Sequence, residues 1–137
     1  MKLEKIHQDE RGEIWTLMID GVEHTFLKSN KGYARGGCIH RTSEECAIIL
    51  QGSVEYHIRG RKTRVYNKGQ SLLIQPSCPH YFVSLENSVV VEWGPSPEEK
   101  KEKFPPWRKV VDNINKSVKS GSKPQTAIES KSSYTAQ

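Results

Sequence analysis

Short stretches of alternating polar and apolar residues, each ended by a turn signal, follow one another from Glu13 to Trp93. The turns recur at roughly eight- to twelve-residue spacing, and Asp20-Gly21 is a typical hairpin dipeptide. This spacing predicts an all-β sandwich or barrel, and the lack of intervening amphipathic helices excludes folds that alternate strands with helices. The predicted strands are Glu13–Ile19, Val22–Lys28, Tyr33–His40, Ala47–Leu50, Val54–Arg59, Arg61–Tyr66, Ser71–Ile74, His80–Leu85 and Ser88–Trp93.

The pattern changes after residue 97. Pro105-Pro106 precedes apolar residues at helical spacing, which predicts a short C-terminal helix over about 105–118. Its apolar stripe packs either on the outside of the barrel or on a partner subunit. Ser, Lys, Thr and Gln then dominate, and such a segment buries too little apolar surface to fold. We therefore predict a barrel over 1–97, a linker and helix over 98–118, and a flexible, disordered basic tail over 119–137.

Composition excludes several classes of protein. The 137 residues suffice for one domain, and no apolar run approaches the roughly 20 residues that cross a bilayer. The first ten residues lack the apolar region of a signal peptide, and three cysteines argue against a secreted disulfide scaffold. Most of the net charge of +5 comes from residues 98–137. We therefore expect a cytoplasmic protein without a membrane or nucleic-acid partner.

Two groups of residues carry the candidate chemistry. Five, one, four and six residues separate, in turn, Gly32, Cys38, His40, Glu45 and Gly52, and ten residues separate Gly69 from His80. These spacings resemble the two motifs of the cupin superfamily, Gly-x5-His-x-His-x3-4-Glu-x6-Gly and Gly-x5-Pro-x-Gly-x2-His-x3-Asn. Cys38 replaces the first histidine, and the second motif is altered at Gln75, Ser77 and Ser84. The resemblance covers about residues 32–95 and implies a jelly-roll barrel that pairs as a homodimer.

The residues of these motifs also form a candidate metal site. Cys38 and His40 are two apart on a predicted strand, so their side chains leave the same face. Glu45 begins the next strand and His80 a distant one, and such positions can converge inside a closed barrel. A thiolate, two imidazoles and a carboxylate suit one divalent transition metal: zinc, iron, nickel or manganese.

The sequence leaves three points open. Cys38 is alternatively a small buried apolar residue in a barrel without metal. The repeated Cys-x-His at Cys38 and Cys78 is alternatively a structural zinc site. The sequence also leaves open whether Glu44 or Glu45 points inward.

A narrower resemblance concerns sugar chemistry. Residues 35–41, Arg-Gly-Gly-Cys-Ile-His-Arg, resemble the Arg-Gly-x-His-Ala-His-Lys segment of the nucleotide-sugar 3,4-ketoisomerases. Residues 9–14 are similar to the Asp-x-Arg-Gly opening of those enzymes and of the dTDP-sugar 3,5-epimerases. The resemblance implies that the barrel binds a 4-keto sugar, with His40 as the base, Arg35 as a contact to the diphosphate and His80 as the later barrel histidine. Tyr56 alternates inward, either as an acid or as a packed core residue.

This resemblance therefore implies an isomerase or epimerase that acts on a nucleotide-linked keto sugar through proton abstraction by a histidine. One alternative is a metal-dependent oxygenase or small-molecule isomerase that uses the candidate metal site. Another is a barrel that binds a small molecule without converting it. The remaining features are predicted to be structural: His7, His24 and His57 at the surface, Trp93 in the core or an interface, and a basic hairpin over 59–64 at a solvated edge.

Overall fold

The computed structural model describes residues 1–96 and 98–121, and its architecture is all-β with one C-terminal helix. The nine predicted strands correspond to β2–β10 and the predicted helix to α1. Residues 122–137 of the predicted tail lie outside the described residues. The elements are β1 (Glu4–Asp9), β2 (Gly12–Ile19), β3 (Val22–Ser29), β4 (Ala34–Ile39), β5 (Glu45–Gln51), β6 (Ser53–Ile58), β7 (Arg64–Asn67), β8 (Ser71–Ile74), β9 (His80–Ser84), β10 (Ser88–Trp93), β11 (Glu102–Lys103) and α1 (Pro105–Lys119).

The strands form two antiparallel sheets. The first has the order β1-β2-β3-β10-β5-β8, and the second has the order β11-β4-β9-β6-β7. Asp20 and Gly21 join β2 to β3 with φ angles of 48° and 74°, as a two-residue turn with positive φ at both central positions requires. Neighbours along the chain often lie in different sheets, so the residues at the ends of β4, β5 and β9 come together.

The main core lies between the two sheets. Strand β6 shows the predicted alternation, since Val54, Tyr56 and Ile58 all belong to this core. Its other members come from both sheets: Leu27, Ala47, Ile49, Tyr66, Leu72, Ile74, Phe82 and Val90. The inward-facing half of each strand therefore supplies the apolar surface that closes the barrel.

Helix α1 covers the outer face of the second sheet. Trp107, Val110, Val111 and Ile114 pack on Ala34, Tyr81 and Val83 of β4 and β9. The Asn115 side chain also donates to the Ala34 carbonyl and accepts from the Ala34 N–H, at 3.0 and 2.7 Å. Of the two positions predicted for the helix, the structure has the one on the outside of the barrel. Within the described residues, no helix is both long and apolar enough to span a membrane.

The prediction that His57 lies at the surface is wrong. His57 is 5% exposed, its ring stacks on Tyr81 at 4.5 Å, and its Nε2 lies 2.8 Å from Oε1 of the buried Glu55. The alternation does turn His57 away from the main core. However, Tyr81 in turn contacts Trp107 of α1, so the outer face of this sheet forms a second buried layer rather than a solvated surface.

Candidate functional site

Three of the predicted site residues meet between the two sheets. His40 directly follows β4, Glu45 is the first residue of β5, and His80 is the first residue of β9. Nε2 of His80 lies 2.9 Å from Oε1 of Glu45, and Nε2 of His40 lies 3.2 Å from Oε2 of the same carboxylate. All three residues are buried, whereas Glu44 is exposed. Glu45 is therefore the inward-facing acid of the pair that the sequence left open.

His80 is held by two acceptors at once. Its Nδ1 lies 2.9 Å from the Cys78 carbonyl oxygen, and its Nε2 faces the Glu45 carboxylate. A carbonyl and an ionised carboxylate can only accept, so both ring nitrogens of His80 carry protons and the ring is an imidazolium. Burial lowers the pKa of His80, but the hydrogen bond to Glu45 and its charge outweigh burial and raise that pKa above 6.5.

Glu45 is correspondingly ionised. Burial by itself would raise the pKa of this carboxyl group. The contacts with His40 and His80 act in the opposite direction and hold the pKa of Glu45 well below its usual range. Glu45 and His80 therefore form a buried ion pair beside His40.

The His40 ring has an unused nitrogen. Within residues 1–96 and 98–121, its Nδ1 has no hydrogen-bond partner, and its Nε2 is near Glu45 but out of hydrogen-bond alignment. The negative charge of Glu45 beside Nε2 favours the tautomer with the proton on that nitrogen. Nδ1, which is itself buried, then carries a lone pair that no group of the described residues uses, and a shift of the ring toward the cavity would be needed before it could act as a general base.

The loop before β9 fixes the backbone of His40. The Ser77 N–H donates to the His40 carbonyl at 2.7 Å, and the Ser77 hydroxyl donates to the Arg41 carbonyl at 3.1 Å. Ser77 stands where the second motif has glycine, and its φ of 61° lies in the left-handed region that glycine favours. The backbone conformation of that motif position is therefore retained although the residue differs.

Glu92 is a further ionisable group that the sequence analysis did not identify. It lies on β10, is 9% exposed, and accepts a hydrogen bond from the Tyr56 hydroxyl at 3.4 Å. Burial and the nearby charge of Glu45 raise the pKa of Glu92 to about 7. Burial and Glu92 also keep the pKa of Tyr56 well above its ordinary value. Near neutral pH the pair is thus a neutral phenol and a partly protonated carboxyl group.

The sequence did contain a signal for Glu92. Strand β10 reads Ser-Val-Val-Val-Glu-Trp, and Val90 belongs to the core between the sheets. Glu92 follows Val90 by two residues, so the period of two places a single acid on an apolar inward face. An acid at such a position is rarely buried without a partner or a role.

These residues border a cavity of about 300 Å³. His40, Glu45 and Glu92 contribute to its lining, together with Thr25 and Leu27 of β3. Trp93 and Lys101 also line it, which places the half-buried Trp93 at a cavity wall. Ligand pockets typically occupy about 300–1,000 Å³, so this cavity has room for a small molecule.

Arg35 and Cys38 line a second, adjoining cavity of about 170 Å³ together with His80. Arg35 donates to the Ser29 hydroxyl at 2.6 Å and to the Lys28 carbonyl at 3.2 Å. Burial and the nearby charge of Arg11 lower the pKa of Arg35 to about 10, so its guanidinium stays charged. The buried Arg35 is therefore a cation inside the barrel.

Cys38 and His40 line different cavities. Cys38 pairs with His80 across β4 and β9, and its Sγ lies 3.9 Å from the Gly36 carbonyl oxygen. His40 lies beyond the end of β4, where the strict alternation of a strand no longer applies. His40, Glu45 and His80 therefore form one contact group, and Cys38 lies outside it, beside His80 on one side and Lys103 on the other.

His40, Glu45 and His80 carry the kinds of donor atom that bind metals. In this structure, however, those atoms contact one another. Two imidazoles and a carboxylate are common ligands of divalent transition metals. Here the Glu45 carboxylate faces both Nε2 atoms, and His80 uses both ring nitrogens. Among the described residues, no three His, Cys, Asp or Glu side chains are placed to hold an ion. A metal would have to displace the Glu45 contacts.

The two cysteines of the alternative Cys-x-His zinc site do not lie together. Cys78 packs against the core between the sheets, whereas Cys38 lines the second cavity. All three cysteines, which include Cys46, are free thiols. The other two histidines lie near the surface: His7 pairs with Asp9, and His24 stacks on Trp93 at 5.6 Å.

Known proteins support the fold. The cupin domain family model matches residues 30–93. A search of curated protein sequences found no match. Among solved structures, the chain is similar to the capsular polysaccharide assembling protein CapF from Staphylococcus aureus (17% identity, TM-score 0.62, 76% of this chain and 33% of CapF). It is also similar to Lactobacillus farciminis oxalate decarboxylase (19%, 0.64, 82% and 38%) and to an RmlC-like cupin from Shewanella frigidimarina (15%, 0.60, 71% and 87%).

At these identities the similarity concerns the fold, and the chain spans about a third of the length of CapF. The family match contains the whole His40, Glu45 and His80 group, and it ends at the last residue of β10. The two sheets, the motif spacings and this match agree with one another. The resemblance to the cupin superfamily is therefore confirmed over residues 30–93, which match its family model, and the chain folds as a jelly-roll barrel of two antiparallel sheets.

Proposed function

We propose that this cupin is an isomerase or epimerase that acts on a keto sugar, with the nucleotide-linked keto sugars of the sequence resemblance as its first candidates. The observation that carries the proposal is the arrangement of His40. Its Nδ1 is unused within the described residues, its Nε2 faces the charged Glu45, and its ring borders the 300 Å³ cavity. These are the features of a general base, which acts once its ring shifts toward the cavity.

The proposed reaction moves protons only and needs no oxidant or reductant. The C–H bond next to the substrate carbonyl breaks, and its proton goes to Nδ1 of His40. Its electron pair forms a C=C bond, and the carbonyl π electrons move to the oxygen to give an enolate. Delivery of a proton from the Tyr56–Glu92 pair to the opposite face of the same carbon gives an epimer, and the proton on His40 then replaces the one delivered. Return of the His40 proton to the former carbonyl carbon, after a proton shift between the two oxygens, gives an isomer.

The other residues of the site have distinct roles in this proposal. His80 holds Glu45 as a fixed anion through their buried ion pair, and the charge of Glu45 lies 3.2 Å from Nε2 of His40. Glu92, whose pKa is raised to about 7, accepts from Tyr56, so this pair can supply or take up a proton near neutral pH. Tyr56 remains in the core, and it affects the reaction through its hydrogen bond to Glu92.

The test is hydrogen exchange in deuterated water with nucleotide-linked and free keto sugars. We expect deuterium to enter at a carbon next to the carbonyl, and His40→Gln to reduce the rate at least about a hundredfold, as loss of a general base does. His7→Gln is the matched control because His7 lies at the surface, and it should retain the wild-type rate. No exchange with any such substrate, or equal rates for both variants, would contradict the proposal.

A second candidate is a metal-dependent cupin. One observation favours it: two imidazole rings and a carboxylate, which are common metal ligands, lie in contact, with Nε2 of His80 and of His40 at 2.9 and 3.2 Å from the Glu45 oxygens. Elemental analysis of protein purified without a tag, followed by titration with zinc, iron, nickel and manganese, tests it. Binding of one equivalent that His80→Gln removes and His7→Gln retains would support this candidate. Absence of metal before and after titration would eliminate it.

A further inference from the structure

The inward face of the first sheet changes from apolar to polar between two neighbouring rows of side chains. The first row belongs to the main core and crosses β2, β3, β10 and β5 through Ile14, Leu27, Val90 and Ile49. Two residues away on each strand, the next inward row consists of Thr16, Thr25, Glu92 and Ala47. Thr16, Thr25 and Glu92, which we call the polar row, all line the 300 Å³ cavity that His40 borders. The cavity therefore has a polar wall at the point where the core ends.

The two threonine hydroxyls of the polar row are available to a ligand. Within residues 1–96 and 98–121, neither the Thr16 nor the Thr25 hydroxyl has a hydrogen-bond partner, although both residues are half-buried. A hydroxyl that loses contact with water without gaining a partner costs free energy. Valine has nearly the shape of threonine, and Val90 shows that this face of the sheet accepts it. Packing alone therefore gives no reason for two hydroxyl groups at this wall.

The spacing within the polar row suits a pair of hydroxyl groups on adjacent carbons. Thr16 and Thr25 lie directly opposite each other on β2 and β3, and such neighbours have Cβ atoms about 4.5–5.5 Å apart. At that separation, each threonine hydroxyl can donate to or accept from one oxygen of the pair. Glu92 lies on the other side of Thr25. Because its pKa is raised to about 7, its carboxyl group can either donate or accept a third hydrogen bond near neutral pH.

We propose that Thr16, Thr25 and Glu92 bind two adjacent hydroxyl groups of the substrate and thereby select a sugar ring that carries both. This inference rests on the proposed function and narrows it, since it states which keto sugars the cavity accepts. The polar row and His40 line the same cavity, so a ring that fills it meets the base and the row together. A site that hydrogen-bonds a substrate hydroxyl discriminates against the analogue that lacks it. Thr16 and Thr25 lie before residue 30, where the family match begins, so the motif spacings assign them no role.

The substitutions Thr16→Val and Thr25→Val separate a binding role from a structural one. Because these hydroxyls have no partner within the described part of the chain, valine should leave the free energy of unfolding in urea unchanged or raise it. Thr63→Val is the matched control. The Thr63 hydroxyl lies 3.4 Å from Nδ1 of His57, outside the cavity, so its loss should affect stability and leave ligand binding unchanged.

Isothermal titration calorimetry with dTDP-glucose and dTDP-3-deoxyglucose measures the selection without any turnover, because neither sugar has a keto group. The second probe has no two adjacent ring hydroxyl groups. We expect the wild-type protein to bind dTDP-glucose at least about fivefold more tightly, as one hydrogen bond allows. Thr16→Val and Thr25→Val should each remove this preference by weakening the binding of dTDP-glucose only, and Thr63→Val should retain it. Glucose and 3-deoxyglucose form the same pair for sugars without a nucleotide.

Three results would overturn the inference. These are a lack of binding by all four probes, equal wild-type affinities for both members of each pair, and valine variants that keep the wild-type preference. A preference that the valine variants lose, without deuterium exchange in any keto sugar, would leave the polar row in place and reject only the proposed reaction. Deuterium exchange without such a preference would reject the polar row and leave the reaction in place.

Discussion

Replacing Glu45 by glutamine should move the pKa of His80 from above 6.5 to below it. Burial acts on His80 in the lowering direction, and only Glu45 and weaker contacts raise its pKa. Glutamine keeps the shape but removes the charge. A hydrogen bond to a charged group contributes about 1.5–3 kcal/mol, and one pKa unit corresponds to about 1.4 kcal/mol. Loss of the charged partner should therefore lower the pKa of His80, because burial then becomes the dominant effect on it.

The same substitution should destabilise the fold in a pH-dependent way. Because the pKa of His80 is raised, its stabilising contribution is complete below about pH 6.5 and is lost as the pH rises through the folded-state value. Because the pKa of Glu45 is lowered, its contribution is complete above about pH 4.5 and is lost as the pH falls through the folded-state value. Glu45→Gln should thus lower the free energy of unfolding most between about pH 4.5 and 6.5, by about 1.5–3 kcal/mol.

Two measurements check this prediction. Nitrogen-15 NMR of the imidazole rings follows the protonation of His80, and urea denaturation at pH 5.5 and pH 9 gives the free energy of unfolding. Glu44→Gln is the control, because Glu44 is the exposed neighbour of the same type. If His80 titrates alike in the wild-type protein and the Glu45 variant, or if the loss of stability is the same at both pH values, the ion pair assigned here is wrong.

Three further predictions concern the scaffold. Asp9→Asn should lower the free energy of unfolding by about 1–2 kcal/mol at pH 7, because hydrogen bonds from Arg11 and His7 outweigh burial and hold the pKa of Asp9 below its usual range. In urea denaturation this difference should shrink as the pH falls below about 3.9. Gly37→Ala should destabilise the protein by at least about 1 kcal/mol, because Gly37 has a φ of 81° and a Cβ there would lie 2.8 Å from Cα of Arg108. Since this clash pushes α1 away from β4, fluorescence quenchers should reach Trp107 more easily in the variant. Light scattering should give twice the mass of one chain if the exposed edge strand β1, with Ile6 57% exposed, pairs with a second copy.

Most of the barrel was predictable because its strands bury one face. Alternation and turn residues located β2 to β10, and the apolar spacing located α1. Strand β1 escaped prediction because its six residues have no buried face, and β11 because it has only two residues. Both strands are formed by backbone pairing to a neighbour, and such pairing leaves no periodic signal in the side chains.

The site was predictable to the extent that it follows from motif spacing. His40, Glu45 and His80 come together as their spacing implied, whereas Lys101 and Arg108, which line the adjoining cavity, had no such signal. Their place depends on how the C-terminal segment crosses the barrel, which is a long-range property of the fold. The burial of His57 was not predicted for the same reason, since the helix that covers its sheet lies about 50 residues further along the chain.

Gly36 and Gly37 connect the barrel, the helix and the site. A Cβ at Gly36 would lie 2.8 Å from the His80 carbonyl oxygen, and one at Gly37 would lie 2.8 Å from the backbone of Arg108. The pair therefore allows both β9 and α1 to approach β4 closely, and a bulge in the β4–β9 pairing lies at this point. Through these approaches the same short segment sets the position of His80 on one side and of Arg108 on the other. A side chain at either position would therefore push β9 or α1 away from β4 and displace the residues that they carry.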